Sequence, residues 1–232
     1  MGSPRLEWEG AFNVRDLGGQ PAAGGCRTRR GALVRADNLD ALTAEGWRAA
    51  EAHGIRTVVD LRNDDERGDL SSRPEGIETL HLPLDGTEDR EFWDVWENGP
   101  QFGTPLYYGP HLERFPERSA AVLSAIARAR PGGVVFHCTG GRDRSGQIAM
   151  LVLALAGVPT EHIVADYALS DEGVSARCAA RGEPDQVPLL AAYLAERGTN
   201  AGAIIERTLA GVDVEALAGP DAAALRARLL ES

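Results

Sequence analysis

The chain has 232 residues, 43% of them hydrophobic and 25% charged, the balance of an ordinary globular protein long enough to bury a core of its own. Its net charge of −11 argues against nucleic acid or an anionic membrane as a general partner, so any phosphate site must be a local positive pocket on a negative body. All 24 basic residues are arginine, and the three cysteines (Cys26, Cys138, Cys178) lack the paired spacing of a disulfide framework and suit a reducing compartment.

The opening run MGSPRLEWEG contains no apolar stretch of signal-peptide type, and Leu6 spoils a myristoylation match; a soluble cytoplasmic protein is the expectation. ALVRA (32–36) reads as a short strand, followed by a helix that opens at Thr43 with Glu45 close behind. IRTVVDL (55–61) is a second strand, and IETLHLP (77–83) alternates like a third. Residues 86–115 concentrate Trp93, Trp96, Tyr107 and Tyr108 among glycines, prolines and acids; they read either as a lid or as a surface excursion with its aromatics packed down. An amphipathic helix is expected over 116–130, ended by PGG. VVF (134–136) reads as a central strand, and 148–158 as an apolar core helix too short to span a bilayer. Further helices are expected near 160–169, 186–197, 200–210 and 220–230, with 170–188 loop-like. Strands alternating with helices predict an α/β fold, a central and mainly parallel sheet flanked by helices. The expected organisation is one domain over 1–232, with a core at about 11–170 and a helical C-terminal part from 171 onward.

The stretch VVFHCTGGRDRSGQ (134–147) carries the chemistry. A strand running through a glycine loop into a helix places residues 138–145 at a helix N-terminus, where backbone N–H groups and the dipole favour an anion. Gly140 and Gly141 let the backbone curl so that successive N–H groups face one ligand, with Thr139 and Arg142 beside them. Arg144 can grip two phosphate oxygens through its planar fork. Cys138 is suited to be a nucleophile, since a helix N-terminus and nearby guanidinium favour the thiolate; attack on phosphorus gives a cysteinyl-phosphate that water then hydrolyses. Ser145 can hydrogen-bond the sulfur and ease its departure, and His137 orients the loop from beneath. His162 and Asp166 stand four apart on a helix, but with no third ligand nearby they read as structural. No metal or cofactor is called for.

HCTGGRDRSG is similar to the active-site loop of the atypical bacterial tyrosine-protein phosphatases, His-Cys-x-x-Gly-Lys-Asp-Arg-Thr. NVRDLGG (13–19), VRADNLDALTAEG (34–46), VVDLRNDDER (58–67) and DYALS (166–170) resemble further elements of that family in the same order, over about residues 11–170. The resemblance implies a tyrosine-phosphatase-like fold, Cys138 as nucleophile, Arg144 on the phosphate and Asp143 as general acid. Asp143 lies between two arginines that favour its ionised form, so Asp85 and Asp60 stand as further candidates. Arg142 replaces the family's lysine, which puts activity on phosphoinositides in doubt, and Ser145 replaces its threonine. Arg15 and Asp16 are expected either to approach the pocket or to pin the N-terminal loop as an ion pair. The expected substrate is a phosphotyrosine protein, with phosphoserine and phosphothreonine as extensions; the alternative is a small phosphorylated metabolite such as a nucleotide or sugar phosphate. A sulfurtransferase and a non-catalytic phosphate-binding module are the competing classes, the first disfavoured by the Cys-to-Arg spacing and the second by the intact Cys138, Arg144 and Ser145. An activated Cys138 is also expected to oxidise readily in peroxide.

Overall fold

In the computed structural model, which describes residues 4–68 and 72–231, the sheet is built from five strands in the order β1-β2-β5-β3-β4. These are β1 (Arg15–Asp16), β2 (Leu33–Ala36), β3 (Ile55–Asp60), β4 (Glu78–His81) and β5 (Gly133–His137). β1 pairs antiparallel with β2, while every other pairing is parallel. The period of two puts Val34, Ala36, Val58 and Val135 on one face, against Trp8 and Trp47, and Leu33, Val59, Val134 and Phe136 on the other. Both faces are buried, as a parallel sheet requires.

The first face is covered by α1 (Ala44–Ala52), whose N-cap Thr43 accepts from the Gly46 N–H. Next in the chain come α2 (Arg90–Trp96), α3 (Tyr108–Arg114), α4 (Pro116–Arg128), α5 (Arg144–Leu155) and α6 (Thr160–Arg181). The last four are α7 (Val187–Ala195), α8 (Ala201–Gly211), α9 (Val214–Ala218) and α10 (Ala222–Leu229). α4, α5, α9 and α10 supply core residues to the second face. α5 is buried almost all round, which explains its nearly unbroken apolar run from Ile148 to Leu155.

One sequence expectation changes. Residues 170–188 are not a loop: α6 continues to Arg181 and ends on Gly182 in the left-handed region (φ 66°). Gly173, inside this helix, is there for packing, because a Cβ would sit 2.6 Å from the Asn13 side chain. Within 86–115, α2 and α3 flank 3₁₀ turns at Pro100–Gly103 and Pro105–Tyr107. Trp93, Tyr107 and Tyr108 are buried there, and the Trp93 indole donates to the Asp85 carbonyl at 2.9 Å.

Candidate active site

The loop between β5 and α5 lies at the carboxyl end of the central strand, between the ends of β2 and β3. In an open parallel sheet this is the crevice where ligands bind. Its shape is set from outside. The Thr139 carbonyl accepts from the Asn38 N–H at 3.3 Å and that of Gly140 from the Asn13 amide at 3.1 Å. Those of Gly141 and Arg142 accept from one Arg35 nitrogen at 2.9 and 3.0 Å, and that of Asp143 from the Tyr108 hydroxyl at 2.6 Å. Five successive carbonyls are thus tied outward, so the peptide N–H groups turn the other way, where they meet no protein acceptor among the described residues. Gly141 adopts φ 66°, and a Cβ on it would lie 2.7 Å from the Asp37 nitrogen, so only glycine fits this bend.

The Arg35 that holds two of these carbonyls is itself fully buried. Asp166 lies between it and Arg15, bonded to Arg35 Nη1 at 2.6 Å and Arg15 Nε at 2.7 Å. Burial favours the neutral acid, but the two guanidiniums overcome it and hold the Asp166 pKa below the usual carboxylate range. Burial, with Arg35 beside it, lowers the Arg15 pKa to about 10. Arg15 also donates to the Asn13 side chain at 2.6 Å, and Asp16 accepts the Gly18 and Gly31 N–H groups at 2.8 Å. Neither Arg15 nor Asp16 reaches the cavity above the loop, so the expectation that they approach the pocket gives way to the ion-pair reading for Arg15 and a backbone-turn role for Asp16.

That cavity encloses about 190 Å³, and Cys138, Thr139, Gly140, Arg142, Asp143 and Arg144 all face it. Cys138 is 2% exposed and its Sγ lies 3.7 Å from Ser145 Oγ. Gly141 and Ser145 support the loop from behind rather than lining the space. His137 lies fully buried beneath, its Nε2 3.6 Å from Asp60, and burial lowers its pKa to about 4 despite that carboxylate. Asp60 does not line the cavity; it is held by Arg62 at 2.9 Å.

Glu66 is the residue that sequence reasoning missed. Its carboxylate spans both terminal nitrogens of Arg144, one of them at 2.6 Å, and accepts the Thr139 hydroxyl at 2.7 Å and the Asn63 N–H at 3.0 Å. Burial would raise its pKa, but Arg144 and these hydrogen bonds outweigh that and bring it to about 2. The only signal was the run NDDE, which reads as a solvated acidic turn yet is a capping box with Glu66 reaching back to Asn63. Asp85 also faces the cavity, 3.0 Å from Arg144 Nη1 and bonded by the Asn63 amide at 2.9 Å. Burial raises the Asp85 pKa, against the pull of Arg144. Arg144 Nη1 is thus shared by Glu66 and Asp85 and Nη2 by Glu66 and Thr139, while Nε has no protein partner among the described residues. Among the described residues the Arg142 guanidinium has one carboxylate contact, to Asp143 at 3.4 Å, and it borders a second, mostly apolar cavity of about 310 Å³ lined by Val164, Leu190 and Leu194.

A model described as the tyrosine phosphatase family matches residues 6–229 of the chain. Among curated proteins, a tyrosine-protein phosphatase of Nostoc commune is 36% identical over 142 residues, 60% of this chain and 48% of that protein. The triple specificity protein phosphatase PtpB of Mycobacterium tuberculosis is 29% identical over 198 residues, 72% of this chain and 70% of PtpB. The chain therefore spans about half the length of the Nostoc relative. Among solved structures, P. aeruginosa TpbA aligns with 18% identity and a TM-score of 0.43 over 83% of this chain and 88% of that one.

Proposed function

The chain belongs to the tyrosine phosphatase family, and from that membership we propose that it hydrolyses phosphate monoesters through a cysteinyl-phosphate on Cys138, without a metal. The observation that carries the reading is the set of five loop carbonyls tied outward, which turns the N–H groups toward one small cavity over the sulfur that Arg144, held by Glu66 and Asp85, also lines. Such a fixed array of donors suits an anion whose charge is spread over equatorial oxygens.

In the proposed reaction the loop N–H groups and the Nε edge of Arg144 hold the phosphoryl group. The Cys138 thiolate attacks phosphorus, the P–O bond to the leaving group breaks, and Asp143 at the cavity wall gives that oxygen a proton. Water then attacks the cysteinyl-phosphate, Asp143 takes back its proton, and orthophosphate leaves. The Ser145 hydroxyl, 3.7 Å from the sulfur, receives the departing thiolate with a hydrogen bond. Glu66 and Asp85 hold the guanidinium by its far end.

Phosphotyrosine is the proposed substrate group, with phosphoserine and phosphothreonine as lesser ones. Phe102 and Tyr107 line the cavity, near-parallel rings with centroids 6.5 Å apart, and offer apolar walls to an aryl ring above a deeply set sulfur. The phosphatase activities for which the Nostoc and Mycobacterium relatives are named support the same choice. The small enclosed volume, about 190 Å³, favours a second reading, a phosphorylated metabolite. Phosphate release in EDTA from an aryl phosphate, phosphotyrosine and phosphoserine peptides and nucleotide monophosphates separates the two, with Cys138→Ser as blank. Equal activity in wild type and Cys138→Ser would reject the cysteine mechanism; faster turnover of any metabolite than of phosphotyrosine peptide would reject the protein substrate.

A further inference from the structure

Arg177, on α6, is a cation that the proposed chemistry does not use. It lines the same cavity as Cys138 and Arg144, with a terminal nitrogen 3.9 Å from where a Cβ on Gly140 would stand. The other two arginines of the cavity have carboxylate partners: Arg144 has Glu66 and Asp85, and Arg142 has Asp143. For Arg177 no hydrogen bond and no ion pair is found among the described residues, and its Nε is buried without an acceptor. The Asp37 carboxylate senses its charge but is already engaged by the N–H groups of Phe12 and Asn13. A buried donor without an acceptor is costly, and a guanidinium held over an anion-binding loop with nothing to bond is arranged for a ligand.

We infer that Arg177 forms a second anion subsite at the mouth of the catalytic cavity, so that the preferred substrate is a phosphate monoester carrying a further anionic group, a carboxylate or a second phosphate, beside the scissile one. Gln186 lines the same wall and adds a neutral hydrogen-bonding group. The acidic walls formed by Glu66, Asp85 and Asp143 surround Arg144 and Arg142, so the second anion is directed to the Arg177 side. The inference rests on the phosphatase reading, since it assigns the second group of that reading's substrate.

The test uses phenyl phosphate bearing a carboxylate at the ortho, meta or para position, each paired with the isosteric neutral amide. In wild type, at least one carboxylate isomer is expected to exceed its amide by about tenfold in kcat/KM, through KM, as one charge-assisted hydrogen bond would give. Arg177→Met, which keeps the stem, and Arg177→Gln, which keeps polarity, should both bring that ratio close to one, and Arg177→Lys should restore part of it. Binding of the same esters to Cys138→Ser, with and without Arg177→Met, gives the preference independently of turnover. A wild-type protein that ignores the carboxylate, or a preference that survives both neutral variants, overturns the subsite while the phosphatase reading stands. If wild type releases phosphate from none of the esters and Cys138→Ser binds none, the phosphatase reading falls and the subsite falls with it.

Discussion

Replacing Glu66 by glutamine removes the charge that clamps Arg144 while keeping the size and some of the hydrogen bonds. In the fold the Glu66 pKa is brought from 4.5 to about 2, which at neutral pH corresponds to at most about 3 kcal/mol of favourable interaction between the carboxylate and its site. The side chain is 26% exposed, so solvent screens only part of this. The sign follows from the direction of the shift. A depressed carboxylate pKa gives stability that is fully present above about 4.5 and is lost as the pH falls toward about 2. Urea unfolding of wild type and Glu66→Gln should therefore differ by about 1–3 kcal/mol at pH 7.5, and the gap should narrow between pH 4.5 and 3. In kinetics the variant leaves Arg144 Nη1 with Asp85 alone, and kcat/KM for an aryl phosphate should drop by about tenfold or more. A stability gap unchanged with pH, or a variant as active as wild type, would refute the claim that Glu66 holds Arg144 in place.

The two buried imidazoles predict acid sensitivity at a higher pH. His111 donates from Nε2 to the Leu84 carbonyl at 3.0 Å and accepts the Gln147 amide on Nδ1 at 3.1 Å, and burial lowers its pKa to about 4, as it does that of His137. Both must stay neutral in the fold, so stability is full above about 6.5 and lost as the pH falls toward 4, by up to about 3 kcal/mol for each ring; a urea midpoint equal at pH 7.5 and pH 5 would contradict this. Gly141→Ala forces φ 66° on a residue whose Cβ meets backbone at 2.7 Å, and should abolish phosphate release while costing about 1–3 kcal/mol of stability; a variant with half of wild-type activity would show that the bend is not needed. Asp143→Asn should lower kcat and remove the alkaline limb of its pH profile, whereas Asp85→Asn should act mainly on KM through Arg144. The reverse pattern would exchange the roles of the two acids.

The strands were readable because Val-rich runs with a period of two have few alternatives, and the glycine loop because each of its residue types has a chemical reason for its place. What was hidden was hidden for physical reasons. Arg35 looks like an ordinary polar residue in ALVRA, and only the fold shows it reaching across to two loop carbonyls and Asp166. Glu66 was concealed in an acidic turn. Arg177 lies in the stretch 170–188, which reads as loop-like in the sequence, and a loop residue there suggests no fixed direction for its side chain. Asp166 was read as structural, but its two arginine partners lie 151 and 131 residues away, beyond what spacing can suggest.

The position of β5 also bears on how the protein comes to be made. Val134 pairs with Leu33 on one side and Thr57 on the other, so the middle strand is the last of the five to leave the ribosome and joins partners roughly one hundred and roughly eighty residues earlier in the chain, an entropically slow step. Until it arrives, β2 and β3 each present an open, apolar edge. A nascent chain halted before residue 133 therefore lacks both Cys138 and a closed sheet, and it exposes two strands able to pair with a neighbour. Closure of the sheet and placement of the loop that follows it are thus coupled, because the strand Gly133–His137 leads directly into Cys138.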